Sequence, residues 1–190
     1  MAVISDVHKF VYFGAPKTGT NTVVRVLKSV YAGRHIFGYH SSSSPMPAGY
    51  LAWATVRNPW VRLLSWWHAW THSRRAPNDP VQGCTFPVFI AFLTDNREGA
   101  DLPKNARHMR SPQQQFIAAQ PCTRVVRLEH LQEDFAALPF GSPQVFGNHN
   151  PGCWKGSVSN FYDDLATAEA IRYGVIEECE VLGYPLEVPE

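Results

Sequence analysis

The chain carries almost no net charge. Seventeen Lys and Arg stand against 16 Asp and Glu in 190 residues, leaving +1 with histidine neutral. A general binder of nucleic acid or of membrane surfaces is usually more basic, and no long basic run breaks the balance here. Neither partner is expected, and any anion must be bound locally. Long hydrophobic runs are missing too. Nothing approaches the ~18–20 apolar residues of a membrane span, and the opening Met1-Ala-Val-Ile-Ser-Asp-Val-His-Lys9 has no signal-peptide core. A cytoplasmic location is expected on those grounds. Cysteine is scarce: Cys84, Cys122, Cys153 and Cys179 show no C-x-x-C spacing, which argues against zinc and dithiol motifs and predicts reduced, mostly buried thiols. His68 and His72 stand i, i+4, but Ala-Trp-Thr separates them, so H-E-x-x-H is absent. No segment repeats.

What is present is the composition of a globular protein, 45% hydrophobic. The length is most simply one domain over residues 1–190. Residues 1–9 read as a lead-in and 10–13 as a short buried strand. A Gly/Pro/Lys/Thr loop follows over 14–19. A helix from about residue 20 to 31 carries Val23, Val24, Val26, Leu27 and Val30 at helical spacing. Residues 35–40 predict a second strand and 41–49 a turn-rich loop. The nearly continuous apolar run 51–56 predicts a strand buried on both faces. Asn58 and Pro59 suit the cap and first position of a helix. Trp60, Leu63, Leu64, Trp67 and Trp70 form its apolar stripe, with Arg62 and Ser65 largely off it.

Further on, residues 74–87 read as loop, 86–93 as a short helix and 96–115 as irregular, with Lys104, Arg107, His108 and Arg110 clustered. Residues 124–128 predict a fourth strand, 130–138 a helix and 163–182 a final helix. That helix would carry Leu165, Ala168, Ile171, Val175, Cys179 and Leu182 on one face, with no evident use for Gly174. Strands alternating with helices predict an α/β fold, a three-layer sandwich with a central parallel sheet and helices on both faces.

A strand, a tight loop and a helix together make a phosphate cradle, because loop N–H groups and the helix N-terminus converge on one anion. The position of the lysine decides which anion. In the nucleoside-triphosphate loop G-x-x-x-x-G-K-[ST] it directly follows the second glycine. Here Gly14-Ala-Pro-Lys17-Thr-Gly19-Thr20 has its lysine two residues before that glycine. Nucleotide hydrolases also end a neighbouring strand in a magnesium-holding Asp. The strand over 51–56 is followed by Arg57, which suits a second phosphate and repels a metal.

Pro16-Lys-Thr-Gly-Thr-Asn-Thr22 resembles the 5′-phosphosulfate loop, P-K-x-G-T-[ST], of the sulfotransferases that use 3′-phosphoadenosine 5′-phosphosulfate (PAPS), with Asn21 a mild departure. Arg57-Asn-Pro-Trp-Val-Arg-Leu-Leu-Ser65 resembles their 3′-phosphate motif, R-[DN]-P-x-x-R-x-x-S. Later segments are similar to the carbohydrate-type branch: His108 with Pro112-Gln113, Arg127-Leu-Glu-His-Leu-Gln-Glu-Asp134, and Asn150 onward. The resemblance implies a P-loop-like phosphosulfate-binding loop formed by Pro16, Lys17, Thr18, Gly19, Thr20, Asn21 and Thr22. It implies a 3′-phosphate site at Arg57 and Ser65, with PAPS as co-substrate, adenosine 3′,5′-bisphosphate (PAP) as product and no metal.

The implied reaction is transfer of a sulfuryl group to an acceptor hydroxyl, of a carbohydrate or another small molecule. Lys17 would neutralise charge growing on the leaving phosphate. A base is needed as well, and imidazole suits it. His40, ending the second predicted strand, is the first choice, with His108 and Glu129 as runners-up. Arg107, His108 and Arg110 are candidate acceptor contacts. A divergent P-loop kinase or triphosphatase is the alternative, and a nucleotide-binding module without catalysis a third reading.

Overall fold

The computed structural model describes residues 1–36, 46–71, 83–95, 112–118, 122–142, 146 and 156–190. The elements in chain order are β1 (Ala2–Ser5), β2 (Phe10–Gly14), α1 (Thr20–Val30), β3 (Arg34–His35), β4 (Leu51–Val56), α2 (Pro59–Thr71), α3 (Phe86–Asp95), α4 (Gln113–Ala118), β5 (Arg124–Arg127), α5 (Leu131–Ala136), α6 (Asp164–Tyr173) and α7 (Val175–Leu182). The chain divides into two compact units. Residues 1–57 and 113–151 form the first, and 58–112 and 152–190 the second.

The first unit holds a five-stranded sheet of order β3-β1-β2-β4-β5. β2, β4 and β5 pair in parallel, and β1 pairs antiparallel with both β2 and β3. Four strands therefore point one way, and the expected parallel sheet is present with β1 alone reversed. Residues 1–9 are not a lead-in: Ala2–Ser5 forms a hairpin with β2. Its four-residue run is too short to announce itself, but pairing buries all four residues.

Side chains alternate across the sheet, as a strand's period of two requires. Phe10, Tyr12 and Trp53 share one face with Val23, Val24 and Leu27 of α1 and Leu131 and Phe135 of α5. Burying each of those aliphatic side chains contributes about 1.5–3 kcal/mol. Val11, Phe13, Ala52 and Ala54 form the other face, where Ile117 of α4 packs. This unit is thus helices, sheet, helix. The second strand was expected over 35–40; Arg34–His35 pairs with β1, and residues 37–40 lie outside the described residues. Residues 113–115, expected to be irregular, open α4.

The second unit is helical. Trp60, Leu63 and Leu64 of α2 pack with Phe89, Ile90 and Leu93 of α3 and with residues of α6 and α7. The Tyr162 ring meets Trp60 edge-on at 5.1 Å, and its hydroxyl donates to the Trp60 carbonyl at 2.6 Å. The final helix is two helices. Gly174 adopts φ 98, ψ 30, closing α6 and opening α7. That left-handed conformation is what a glycine there provides. The break resets the helical phase, so the expected apolar face fails in its first half: Leu165 and Ile171 are 59% and 48% exposed, while Ala166, Ala170 and Tyr173 are buried. Val175 and Cys179 are buried as expected. Cys84, Cys122 and Cys179 are free thiols, the first two half-buried. Among the described residues no helix is long and apolar enough to cross a membrane.

Candidate functional site

β2 ends in Gly14, and the loop to α1 turns on two left-handed residues, Lys17 (φ 69) and Gly19 (φ 76). A side chain at Gly19 would overlap the Leu128 side chain, and one at Gly14 would press on that of Thr20, so space favours glycine at both positions and the left-handed backbone favours it at Gly19 as well.

Beneath the loop runs a chain of hydroxyls. Thr18 donates to the Ala15 carbonyl at 2.8 Å, Thr18 and Thr55 share a bond of 3.0 Å, and Thr55 and Tyr12 share one of 2.7 Å. Each hydroxyl has one proton. Because Thr18 gives its proton to Ala15, Thr55 donates to Thr18 and Tyr12 donates to Thr55. Burial pushes the Tyr12 phenol up to about 12, which keeps it in the protonated form that heads this chain. Thr20 also donates to the Ala15 carbonyl, at 2.8 Å. The protons of Thr18 and Thr20 are therefore engaged within the loop, and toward an anion these residues offer backbone N–H.

α1 begins without help. Gly19 caps it with no side-chain hydrogen bond, and no acidic residue lies in its first turn. The Val23 N–H makes a 3.1 Å bond to the Gly19 carbonyl. The N–H groups of Thr20, Asn21 and Thr22 lie ahead of it, where a helix has no internal acceptors and its dipole favours negative charge. Asn21 is exposed; Thr22, Lys17 and Pro16 are half-buried.

The neighbouring strand leads to the same edge. Gly14 is in register with Thr55 and Val56 with Arg127, so the loop, Arg57 and the Leu128–His130 turn all leave from the C-terminal ends of adjacent parallel strands. Open α/β sheets bind ligands at such edges. Arg57 is half-buried, and its Nη1 lies 3.5 Å from the Lys17 carbonyl, a long contact. Its backbone is held on both sides. The Arg57 N–H donates to Gln113 Oε1 at 2.7 Å, and Gln113 Nε2 donates to the Arg57 carbonyl at 2.8 Å. Glu129 is exposed in the turn after β5.

Ser65 belongs to the second unit, half-buried on α2. Asn58 caps that helix as expected, its Oδ1 accepting from the Trp60 and Val61 N–H groups at 3.0 and 3.4 Å. Arg62 overturns its off-stripe reading. It is 1% exposed and pairs with the buried Glu178 of α7 at 3.5 Å. His40, Arg107, His108 and Arg110 lie outside the described residues, as does Lys104.

Three contributors escaped the sequence reading. Tyr12 and Thr55 sit within apolar strands, and only their hydroxyls mark them. The Pro112-Gln113 segment by itself gives Gln113 no role. Residues 1–140 match the model of a family described as the sulfotransferase family. Neither the curated proteins nor the solved structures gave a significant match. The family match covers most of the chain, in agreement with the two phosphate motifs, and the chain belongs to the sulfotransferase family, whose reaction class is transfer of a sulfuryl group.

Proposed function

We propose that the chain acts as one sulfotransferase domain that moves a sulfuryl group from PAPS to an acceptor hydroxyl, of a carbohydrate or another small molecule. The observation that carries this reading is the uncapped start of α1 behind a left-handed lysine, with Arg57 leaving the adjacent parallel strand at the same edge. A polyanion with one phosphate at each point fits that pair of features. The 5′-phosphosulfate would lie against the N–H groups of residues 18–22, with Pro16 shaping the turn, and Arg57 would take the 3′-phosphate as a planar fork. Ser65 joins Arg57 on the strength of the motif.

In the step itself the acceptor oxygen forms a bond to sulfur as the bridging oxygen–sulfur bond breaks. The bond's electrons leave with the 5′-phosphate oxygen of PAP, and the hydroxyl proton passes to a base. Positioning and charge stabilisation dominate loose transfers of this kind. Lys17 supplies the charge at the leaving oxygen. His40 remains the proposed base, ahead of His108 and Glu129, and Arg107, His108 and Arg110 the proposed acceptor contacts.

Titration calorimetry tests the donor. PAP should bind tightly without magnesium, and ATP should bind weakly with or without it. Binding of ATP with magnesium, with no binding of PAP, would overturn this reading in favour of a nucleotide kinase or triphosphatase. His40→Ala should lower turnover far more than donor affinity; unchanged turnover would transfer the base to His108 or Glu129.

A further inference from the structure

We propose that Gln113 is a positioning residue that holds Arg57 in the orientation for the donor's 3′-phosphate; this rests on the role given to Arg57 above. Gln113 is 0% exposed, and both ends of its amide bond to the backbone of one residue, Arg57 N–H at 2.7 Å and Arg57 C=O at 2.8 Å. A primary amide is the side-chain group that presents a donor and an acceptor in one plane, as a peptide does. The register of β4 with β5 ends at Val56↔Arg127. Arg57 is the next residue, and the Gln113 amide gives it a two-bond tether of the kind a ladder gives residues inside a sheet. The backbone of Arg57 sets where its side chain starts, and a misplacement of about 1 Å in a supporting group is enough to loosen a site.

Stability alone does not call for this arrangement. Each internal hydrogen bond yields little net free energy after desolvation, and a well-packed apolar residue serves a buried position as well. What a buried glutamine adds is direction, and it is aimed at the arginine of the second motif. Glutamate would keep the acceptor and lose the donor. Leucine would lose both.

Calorimetry with two ligands measures the effect. PAP carries both phosphates and adenosine 5′-monophosphate lacks the 3′-phosphate, so the ratio of their affinities isolates the 3′ contact. Gln113→Leu should weaken PAP by roughly tenfold, the scale of a misaligned charge-assisted bond, and leave the monophosphate within about twofold. Gln113→Glu should fall between, and it carries the test if the leucine variant does not fold. Adding Gln113→Leu to Arg57→Ala should not change the ratio further. An equal loss for both ligands would make Gln113 merely structural and overturn the proposal. So would a selective loss in Arg57→Ala with none in either Gln113 variant, leaving the role of Arg57 intact. If Arg57→Ala itself left the ratio unchanged, the reading of Arg57 would fall and the proposal with it.

Discussion

Lys17 holds a backbone conformation that costs an L-residue about 1–2 kcal/mol. Replacing it with glycine or alanine removes the same charge, but glycine alone relaxes the turn. Both variants should lose transfer, and Lys17→Gly should be the more stable by about 1 kcal/mol in denaturant titration. Equal stabilities would show that the turn carries no strain. The hydroxyl chain below makes a second residue-level prediction. Thr55→Val keeps the shape but leaves Tyr12 and Thr18 without their shared partner. It should cost about 1–3 kcal/mol, the penalty of stranding buried polar groups. The chain also has a pH signature. The Tyr12 phenol sits near 12 in the folded protein, above its ordinary 10. The unfolded chain therefore ionises first as pH rises, so this contribution is whole below about 10 and is lost between about 10 and 12. Tyr12→Phe should flatten that alkaline loss in melting curves.

At the scale of elements, the junction between α6 and α7 offers a test of sign. Glycine to alanine within a continuous helix stabilises by up to about 1 kcal/mol. At Gly174, with φ 98, the same change should destabilise by about that much or more. A rise in melting temperature would mean that residues 163–182 form one helix after all. The pairing of α2 with α7 through Arg62 and Glu178 has a similar diagnostic. Glu178→Gln should cost about 3–5 kcal/mol by leaving a buried guanidinium short of its counter-charge. The double change Arg62→Met with Glu178→Leu should recover most of it, because a buried ion pair is often no better than an apolar match. A double variant as unstable as the single would contradict this account.

Across the whole molecule, what was legible in the sequence was local. Strand, loop and helix are contiguous at residues 10–30, and the Arg57–Ser65 motif spans nine positions, so period and turn chemistry sufficed to find them. The remainder depends on residues far apart in the chain. Gln113 reaches Arg57 across 56 positions, and Arg62 meets Glu178 across 116. No periodicity announces such partners. β1 was missed for a related reason: its four residues become a strand only because β2 is beside them. The phase of the last helices was misread because one left-handed glycine divides a pattern that continuity would otherwise extend. The close approach of Gly19 to Leu128 is a further long-range link, and it has a genetic consequence. The steric part of a Gly19→Ala defect lies in a side chain 109 positions away. Leu128→Ala should therefore act as a partial second-site suppressor of Gly19→Ala, restoring the space but not the left-handed backbone. A suppressor screen for restored sulfuryl transfer should return changes at residue 128, and full recovery there would show that φ at residue 19 matters less than room.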